Sequence, residues 1–344
     1  MSVLYAYDPV ERLHTLEGHP ENYQRLEGTM RLLGEEGLLD SMKLIAAKPL
    51  SDRRLELVHE RVYVESVETV ARAGGGQLDP DTYACAASHL AARTSAGALA
   101  GLVEEVMGGH ATRAMSLMRP PGHHALPSGA MGFCIFGNVA LAALVAREEF
   151  GAERVLIIDW DVHHGNGTEA VFIDDPSVAF LSTHQYPFYP GTGAMTDTGQ
   201  GAGEGFTVNV PFPVGVGDRG YRSAFERVVV PFARRFKPDL ILVSAGYDAH
   251  WRDPLAQECL SVAGYADLTR SVVALAEDLC DGRLVLALEG GYDLEVLPQT
   301  VLASLRILED PETSPADPIG IPDQDEPDVT SLLDSIVRLH DLEP

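Results

Sequence analysis

The chain has 344 residues, of which 45% are hydrophobic and 22% are charged, and these proportions are typical of a globular protein with a large core rather than of a disordered one. Its 51 acidic against 25 basic side chains give a formal net charge of -26. That charge disfavours nucleic acid and anionic membranes as partners and favours a cationic one, although solubility alone would also account for it.

Strand-like and helix-like patterns alternate along the chain. The predicted strands cover 3–7, 114–118, 155–158, 178–183, 207–210, 240–244 and 284–289. The predicted helices lie near 26–33, 58–67, 91–107, 136–149, 218–235, 261–279 and 329–342. This alternation predicts an α/β protein with three αβα layers around a mainly parallel central sheet. We expect one domain over residues 1–344, with a connector rich in proline and acid at about 309–328.

The cysteines and the first residues bear on location. The four cysteines show no C-x-x-C spacing and are too few for disulfide bonds to stabilise a chain of this length; they are Cys85, Cys134, Cys259 and Cys280. Residues 1–14 lack the basic and apolar regions of a secretion signal, and no apolar run is long enough to span a membrane. We therefore expect a cytoplasmic protein.

Polar side chains follow three of the predicted buried strands. They are Asp159, Asp161 and His163 after the third strand, Asp248 after the sixth and Tyr292 after the seventh. Because parallel strands bring their carboxyl ends to one edge of a sheet, where α/β proteins bind ligands, we expect these side chains to meet. Carboxylate and imidazole ligands suit zinc or another divalent first-row ion. The alternative is that the aspartates cap a helix and the histidines pack; repetition at several strand ends favours the metal site.

Residues 119–124 read Arg-Pro-Pro-Gly-His-His and place two imidazoles in tandem on a turn that cannot be helical. Imidazole has the right intrinsic pKa for acid-base work near neutral pH. Such a pair could take a proton from a metal-activated water and return it to a leaving amine. Taken alone, the pair could also be structural.

Six ordered motifs resemble the arginase-deacetylase superfamily, specifically the histone deacetylases, the acetylpolyamine amidohydrolases and their bacterial class II-like relatives. The motifs are RPPGHHA (119–125), MGFC (131–134), DWDVHHGNGT (159–168), YPGTG (189–193), SAGYDAH (244–250) and LEGGYD (288–293). The similarity runs from near His19 to about Thr300. It implies the arginase-deacetylase fold and a zinc-dependent deacetylase that hydrolyses N-acyl amides of lysine side chains or similar amines with a metal-activated water.

The resemblance implies two cation sites. Asp161, His163 and Asp248 would bind zinc, or iron(II) in its place. A potassium ion beside the zinc would be held by Asp159, Asp161, His163, Ser182 and Thr183.

The resemblance also implies the catalytic groups. His123 and His124 would act as the general base and acid pair, and Tyr292 would donate its hydroxyl to the oxyanion. Behind them, Asp159 would orient His123 and Asn166 would contact His124.

In this family the acyl group enters a tunnel, and the resemblance places Gly132, Phe133, Tyr189 and Leu255 along it. Phe133 and Tyr189 would form its aromatic walls, and the Gly132 carbonyl would accept from the substrate amide. Tyr189 stands where Phe is more usual, so its hydroxyl either adds polarity or lies at the edge of a flat aromatic wall. Leu255 stands where polyamine-selective relatives carry an acid, which favours an acyl-lysine peptide or a small amide.

Three alternatives stay open. The first is an acetylpolyamine deacetylase, which the acidic charge supports and Leu255 opposes. The second is a catalytically idle protein that binds acyl-lysine or a small molecule, which the joint presence of both histidines and Tyr292 opposes. The third, an arginase-like enzyme with two metal ions, lacks the further aspartates its second metal needs. The expected partner is an acylated lysine peptide or protein, or an acylated amine, and a homo-oligomer is plausible by analogy.

Overall fold

The structure, a computed structural model, describes residues 3–342. In this range the strands are β1 (Leu4–Ala6), β2 (Lys43–Ile45), β3 (Gly75–Gln77), β4 (Tyr83–Cys85), β5 (Arg113–Ser116), β6 (Val155–Asp159), β7 (Val178–Gln185), β8 (Thr207–Phe212), β9 (Leu240–Ala245) and β10 (Leu284–Leu288). The helices are α1 (Gln24–Glu35), α2 (Leu38–Ser41), α3 (Asp52–Leu55), α4 (Arg61–Arg72), α5 (Ser88–Met107), α6 (Asn138–Phe150), α7 (Asn166–Phe172), α8 (Asp218–Ala224), α9 (Val230–Phe236), α10 (Val262–Leu279), α11 (Val296–Glu309) and α12 (Thr330–Leu339).

Eight strands form one sheet in the order β2-β1-β5-β10-β9-β6-β7-β8. Every neighbouring pair in this sheet is parallel. The strands β3 and β4 form a separate antiparallel hairpin. The predicted parallel sheet is therefore confirmed.

Helices cover both faces of the sheet. Along β6, Val155 and Ile157 join an apolar cluster with residues of α5 and α6, whereas Leu156 and Ile158 join a second cluster with residues of α10 and α11. Successive side chains of a strand point to opposite faces, so a strand covered on both sides must be apolar throughout. This confirms the three-layer arrangement. None of the described helices is long and apolar enough to cross a membrane.

Some elements differ from the prediction. The largest is α11, which was not predicted and of whose 14 residues 11 are buried. The short strands β2, β3 and β4 were not predicted either. The helix expected at 58–67 begins at Arg61, because His59 lies in the preceding turn and its ring bonds the Leu126 carbonyl and the Gly137 amide.

The segment between α11 and α12 is tied to the body of the protein. The Trp251 indole donates to the Gly320 carbonyl at 2.8 Å. The Glu326 carboxylate accepts the backbone amides of Arg219 and Gly220 at 3.1 and 3.0 Å. Arg270 also donates to the Pro311 carbonyl at 2.9 Å, so the connector expected at 309–328 is anchored at several points. The final helix is shorter than the predicted 329–342.

Five adjacent strands, β5, β10, β9, β6 and β7, end at the same edge of the sheet. Asp159 at the end of β6 pairs with Ser182 on β7 and with Ser244 on β9, and Leu288 on β10 pairs with Ala245. The loops that follow these strands therefore start side by side.

Candidate active site

The turn that carries the tandem histidines is held by a buried arginine. Arg119 Nη1 donates to Glu11 Oε2 at 2.9 Å, and its Nη2 donates to Glu21 Oε2 at 2.6 Å. Burial alone would raise the pKa of Glu21, but the charge of Arg119 holds it well below its usual range. At the next residue, Asn138 donates to the Pro120 carbonyl at 3.1 Å.

His123 and His124 lie side by side, with ring centroids 3.9 Å apart. Nδ1 of His123 is 3.0 Å from Asp159 Oδ2, and Nδ1 of His124 is 2.7 Å from Asn166 Oδ1. Because an amide oxygen only accepts, His124 carries its proton on Nδ1 and leaves Nε2 free as an acceptor. Both expected contacts behind the histidines are thus present in the geometry.

The pKa values of the two rings shift in opposite directions. Burial acts to lower the pKa of His123, but Asp161 and Asp159 outweigh it and raise that pKa well above its usual value. Burial also lowers the pKa of His124, and the charges of His123 and His163 lower it further. The lowered pKa of His124 keeps its ring neutral, and a neutral ring is able to accept a proton.

A candidate metal site, the metal trio, consists of Asp161, His163 and Asp248. They come together at the strand edge, where one ligand atom of each lies within 4.8 Å of the others. Nδ1 of His163 is 3.1 Å from Asp161 Oδ1 and 3.2 Å from Asp248 Oδ2. Burial acts to lower the pKa of His163, but the two carboxylates raise it to about 10. Asp248 Oδ2 is buried without a hydrogen-bond partner among the described residues. Two buried carboxylates and one imidazole at these distances form a donor set that fits zinc or a similar divalent ion.

Glycines allow the backbone to approach these carboxylates closely. A Cβ atom at Gly290 would lie 2.0 Å from Asp248 Oδ2, and one at Gly246 would lie 2.2 Å from Asp161 Oδ2. The Gly290 amide instead donates to Asp161 Oδ2 at 2.8 Å. A side chain at Gly290 would displace the Asp248 carboxylate, and one at Gly246 would displace the Asp161 carboxylate.

Tyr292 is held by its backbone and by its ring. Its amide donates to Asp253 Oδ2 at 2.7 Å, and the Arg25 guanidinium carbon lies 4.8 Å from its ring centroid. Arg25 itself donates to the carbonyls of Glu289 and Gly291 at 2.6 and 2.7 Å. Burial raises the pKa of Tyr292 well above its usual value, more than Arg25 lowers it, so the phenol keeps its proton.

A pocket of about 180 Å³ opens over these groups. Its lining consists of Asp81, His124, Gly132, Phe133, His163, Phe188, Tyr189, Leu255 and Tyr292. The Tyr189 ring stands edge-on to His124 with centroids 5.3 Å apart, and the Tyr189 hydroxyl donates to Asp81 Oδ2 at 2.9 Å. A Cβ atom at Gly132 would lie 2.2 Å from His124 Cδ2, which explains the need for glycine there. All four residues expected along the tunnel line this pocket.

Of the residues expected around potassium, Asp159, Asp161, Ser182 and Thr183 are buried and His163 is partly buried. Ser182 Oγ lies 2.9 Å from His184 Nδ1, and Thr183 Oγ1 donates to the Asp159 carbonyl at 3.5 Å. Asp159 Oδ1 accepts the Asp161 amide at 3.1 Å. These groups gather carbonyl, hydroxyl and carboxylate oxygens at the ends of β6 and β7.

Comparison with known proteins gives the family. A family model described as the histone deacetylase domain matches residues 19–308. The chain is 43% identical over 312 residues to histone deacetylase 14, chloroplastic, of Arabidopsis thaliana. The aligned part covers 86% of this chain and 74% of that protein. The chain belongs to the histone deacetylase family.

One further relative and one solved structure are also similar to this chain. The histone deacetylase-like amidohydrolase of Pseudomonas aeruginosa is 40% identical over 303 residues, covering 88% of this chain and 80% of that protein. The crystal structure of the HDA15 HD domain matches with a TM-score of 0.90 and 36% identity over 98% of this chain and 94% of that chain. The arginase-deacetylase fold, the family resemblance and the hydrolase class are confirmed.

Several residues of this histone deacetylase site were not found from the sequence. Asp253 accepts the Tyr292 amide, and Arg25 lies over the Tyr292 ring. Nothing in the sequence around Asp253 or Arg25 indicates these contacts. Phe188 stacks on His163 with centroids 5.6 Å apart, and its position beside Tyr189 could have suggested it. Glu289 lies in the LEGGYD motif, but its role as acceptor of the backbone amides of the histidine turn was not predicted.

Proposed function

We propose that this histone deacetylase family member is a zinc-dependent amidohydrolase that removes acyl groups from lysine side chains or similar amines. The observation that supports this most is that a metal ligand, a neutral imidazole and a protonated phenol, namely His163, His124 and Tyr292, line one pocket. Hydrolysis of an amide needs an activated water, a proton acceptor and an oxyanion donor, and these three groups correspond to those needs.

Asp161, His163 and Asp248 would hold the zinc ion, or iron(II) in its place. When bound, the ion supplies a Lewis acid that polarises the substrate carbonyl and lowers the pKa of water. We also propose potassium among the oxygens around Asp159, Ser182 and Thr183, because buried carbonyl oxygens are the ligands that potassium accepts.

His124 moves the proton. Its Nε2 accepts a proton as water attacks the acyl carbonyl, and the same nitrogen returns the proton to the leaving amine. Asn166 fixes the tautomer by accepting from Nδ1. His123 is held by Asp159, whose Oδ2 lies 3.0 Å from its Nδ1, and would orient the water beside His124.

Tyr292 stabilises the oxyanion from the other side. Its hydroxyl keeps its proton and has no acceptor among the described residues, so it is available to donate to the carbonyl oxygen as charge develops. Arg25 and Asp253 hold the ring and the backbone of Tyr292 from behind.

The pocket lining favours an acyl group on an aliphatic stem. Phe133 and Tyr189 present aromatic surface, and Leu255 adds apolar surface at the same pocket. The second candidate, an acylated polyamine, is supported by the Asp81 carboxylate in the lining and by the net charge of -26, both of which favour a free ammonium group. A cytoplasmic location completes the proposal, in keeping with four free cysteines.

Steady-state kinetics on matched substrates test this proposal. The zinc-loaded protein should hydrolyse a fluorogenic acetyl-lysine peptide with a higher kcat/KM than acetylputrescine, because Leu255 offers no charge to an ammonium group. The reverse ranking would favour the polyamine assignment. Tight binding of both substrates in calorimetry without hydrolysis would show an idle binding protein instead.

A further inference from the structure

Glu289 is a buried carboxylate beside the tandem histidines that the proposed mechanism does not use. It is 1% exposed and directly follows β10. Its Oε2 accepts the backbone amides of Gly122 at 2.6 Å and His123 at 3.2 Å. Ser244 Oγ lies 3.3 Å from its Oε1. Across residues 3–342, neither amide has another hydrogen-bond acceptor.

The other contacts of this turn hold its two ends. Arg119 and the Pro120 carbonyl are fixed at the start of the turn. The His123 carbonyl accepts the amides of Gly167 and Thr168 at 3.0 and 3.1 Å. Glu289 alone satisfies the amide side of the turn, directly before the two catalytic rings.

The segment that begins with Glu289 also reaches the rest of the site. The Gly290 amide donates to the metal-binding Asp161, and Tyr292 follows two residues later. One short stretch of backbone therefore carries the group that holds the histidine turn, the group that holds a metal ligand and the oxyanion donor. Groups on one short backbone segment keep fixed relative positions better than groups on separate loops.

We propose that Glu289 is a positioning residue that sets His123 and His124 in place relative to Asp161 and Tyr292 by accepting these two backbone amides. Its acceptor oxygen, rather than its charge, is the feature that matters. The activity readout rests on the proposed function, whereas the ring positions are measured without turnover.

Three variants separate positioning from packing. Glu289→Gln keeps an acceptor oxygen at the same place, and Glu289→Met keeps the length of the side chain and removes the acceptor. Glu258→Met is the matched control, because Glu258 is also 1% exposed and accepts a backbone amide, that of Val216, at 2.6 Å. All variants are compared by kcat per bound zinc, KM, zinc content and Tm.

Glu289→Met should lower kcat per bound zinc by about 100-fold with KM within about twofold, because a displacement of about 1 Å of a catalytic group costs on that order. Glu289→Gln should stay within about threefold of the unmodified protein, since the amides keep their acceptor. Glu258→Met should lower Tm while kcat per bound zinc is unchanged.

Crystal structures of the two Glu289 variants supply the readout that needs no turnover. The His124 ring should shift by about 1 Å in Glu289→Met and stay in place in Glu289→Gln. Unmoved rings with unchanged kcat per zinc in the Met variant would overturn the proposal, and so would a Gln variant as impaired as the Met variant. If the unmodified protein hydrolyses no acyl-amine, the proposed function fails, and the ring positions still decide the role of Glu289.

Discussion

Replacing Tyr292 by Phe removes one oxygen atom from the site and leaves the ring. The contacts that hold the ring do not use this oxygen: Arg25 lies over the ring face, and Phe133 meets its edge with centroids 5.8 Å apart. The hydroxyl has no acceptor among the described residues, so the folded protein loses no hydrogen bond of its own. A substitution that removes no hydrogen bond and keeps the ring packing should change stability by less than about 0.5 kcal/mol. We therefore expect Tm to stay within about 2 °C.

The effect on rate should be much larger than the effect on stability. Loss of one oxyanion donor costs about 100-fold to 1000-fold in kcat, which corresponds to about 2.7–4 kcal/mol of transition-state stabilisation. KM should change by less than about twofold, because the hydroxyl acts on charge that exists only in the transition state. The assay is acetate release from an acetyl-lysine peptide at matched zinc content.

Tyr63→Phe is the control for this experiment. The Tyr63 hydroxyl donates to the Ile135 carbonyl at 2.7 Å away from the metal trio, so its loss should lower stability by about 1 kcal/mol and leave kcat unchanged. A Tyr292→Phe variant with unchanged kcat would refute the assigned role. So would a variant that loses activity through KM alone.

Three further outcomes are expected. Tyr189→Phe removes the hydrogen bond to Asp81 at 2.9 Å and should lower the free energy of unfolding by about 1 kcal/mol in urea titration; an unchanged midpoint would contradict this contact. Burial raises the pKa of Glu258 to about 8. The contribution of its protonated form to stability is therefore fully present below the unfolded pKa near 4.3 and is lost as pH rises through about 8. Glu258→Gln should gain stability relative to the unmodified protein from about pH 5 to about pH 9, and parallel curves of unfolding free energy against pH would contradict the shift. A zinc chelator should abolish turnover and lower Tm, with both restored by zinc, whereas a chelator without effect on Tm would argue against a metal in the buried trio.

The parts of the site that lie at strand ends could be predicted from the sequence. Asp161, His163 and Asp248 follow short apolar runs that are typical of buried parallel strands, and parallel strands bring their carboxyl ends to one edge of the sheet. Tandem histidines in a turn with two prolines and a glycine are equally local. The family motifs then supplied the roles of these residues.

The parts that could not be predicted depend on contacts between distant backbone atoms. Glu289 binds the amides of Gly122 and His123, and a backbone amide leaves no trace in the residue type. Helix α11 has 11 of its 14 residues buried and packs against α10 and α1, and α1 comes from a distant part of the chain. Tyr189 stands where the family more usually has Phe, and only the structure shows that its hydroxyl donates a hydrogen bond to Asp81.

The central claim is that the metal trio, His124 and Tyr292 form one hydrolytic site for acyl-amines. The most direct test is to measure acetate released from an Nε-acetyl-lysine peptide by the protein loaded with one zinc ion per chain. We expect acetate and free lysine side chains in equal amounts over many turnovers, and loss of both in Asp248→Asn. A protein that binds zinc at the trio and yet releases no acid from any acyl-lysine or acylpolyamine would contradict the claim.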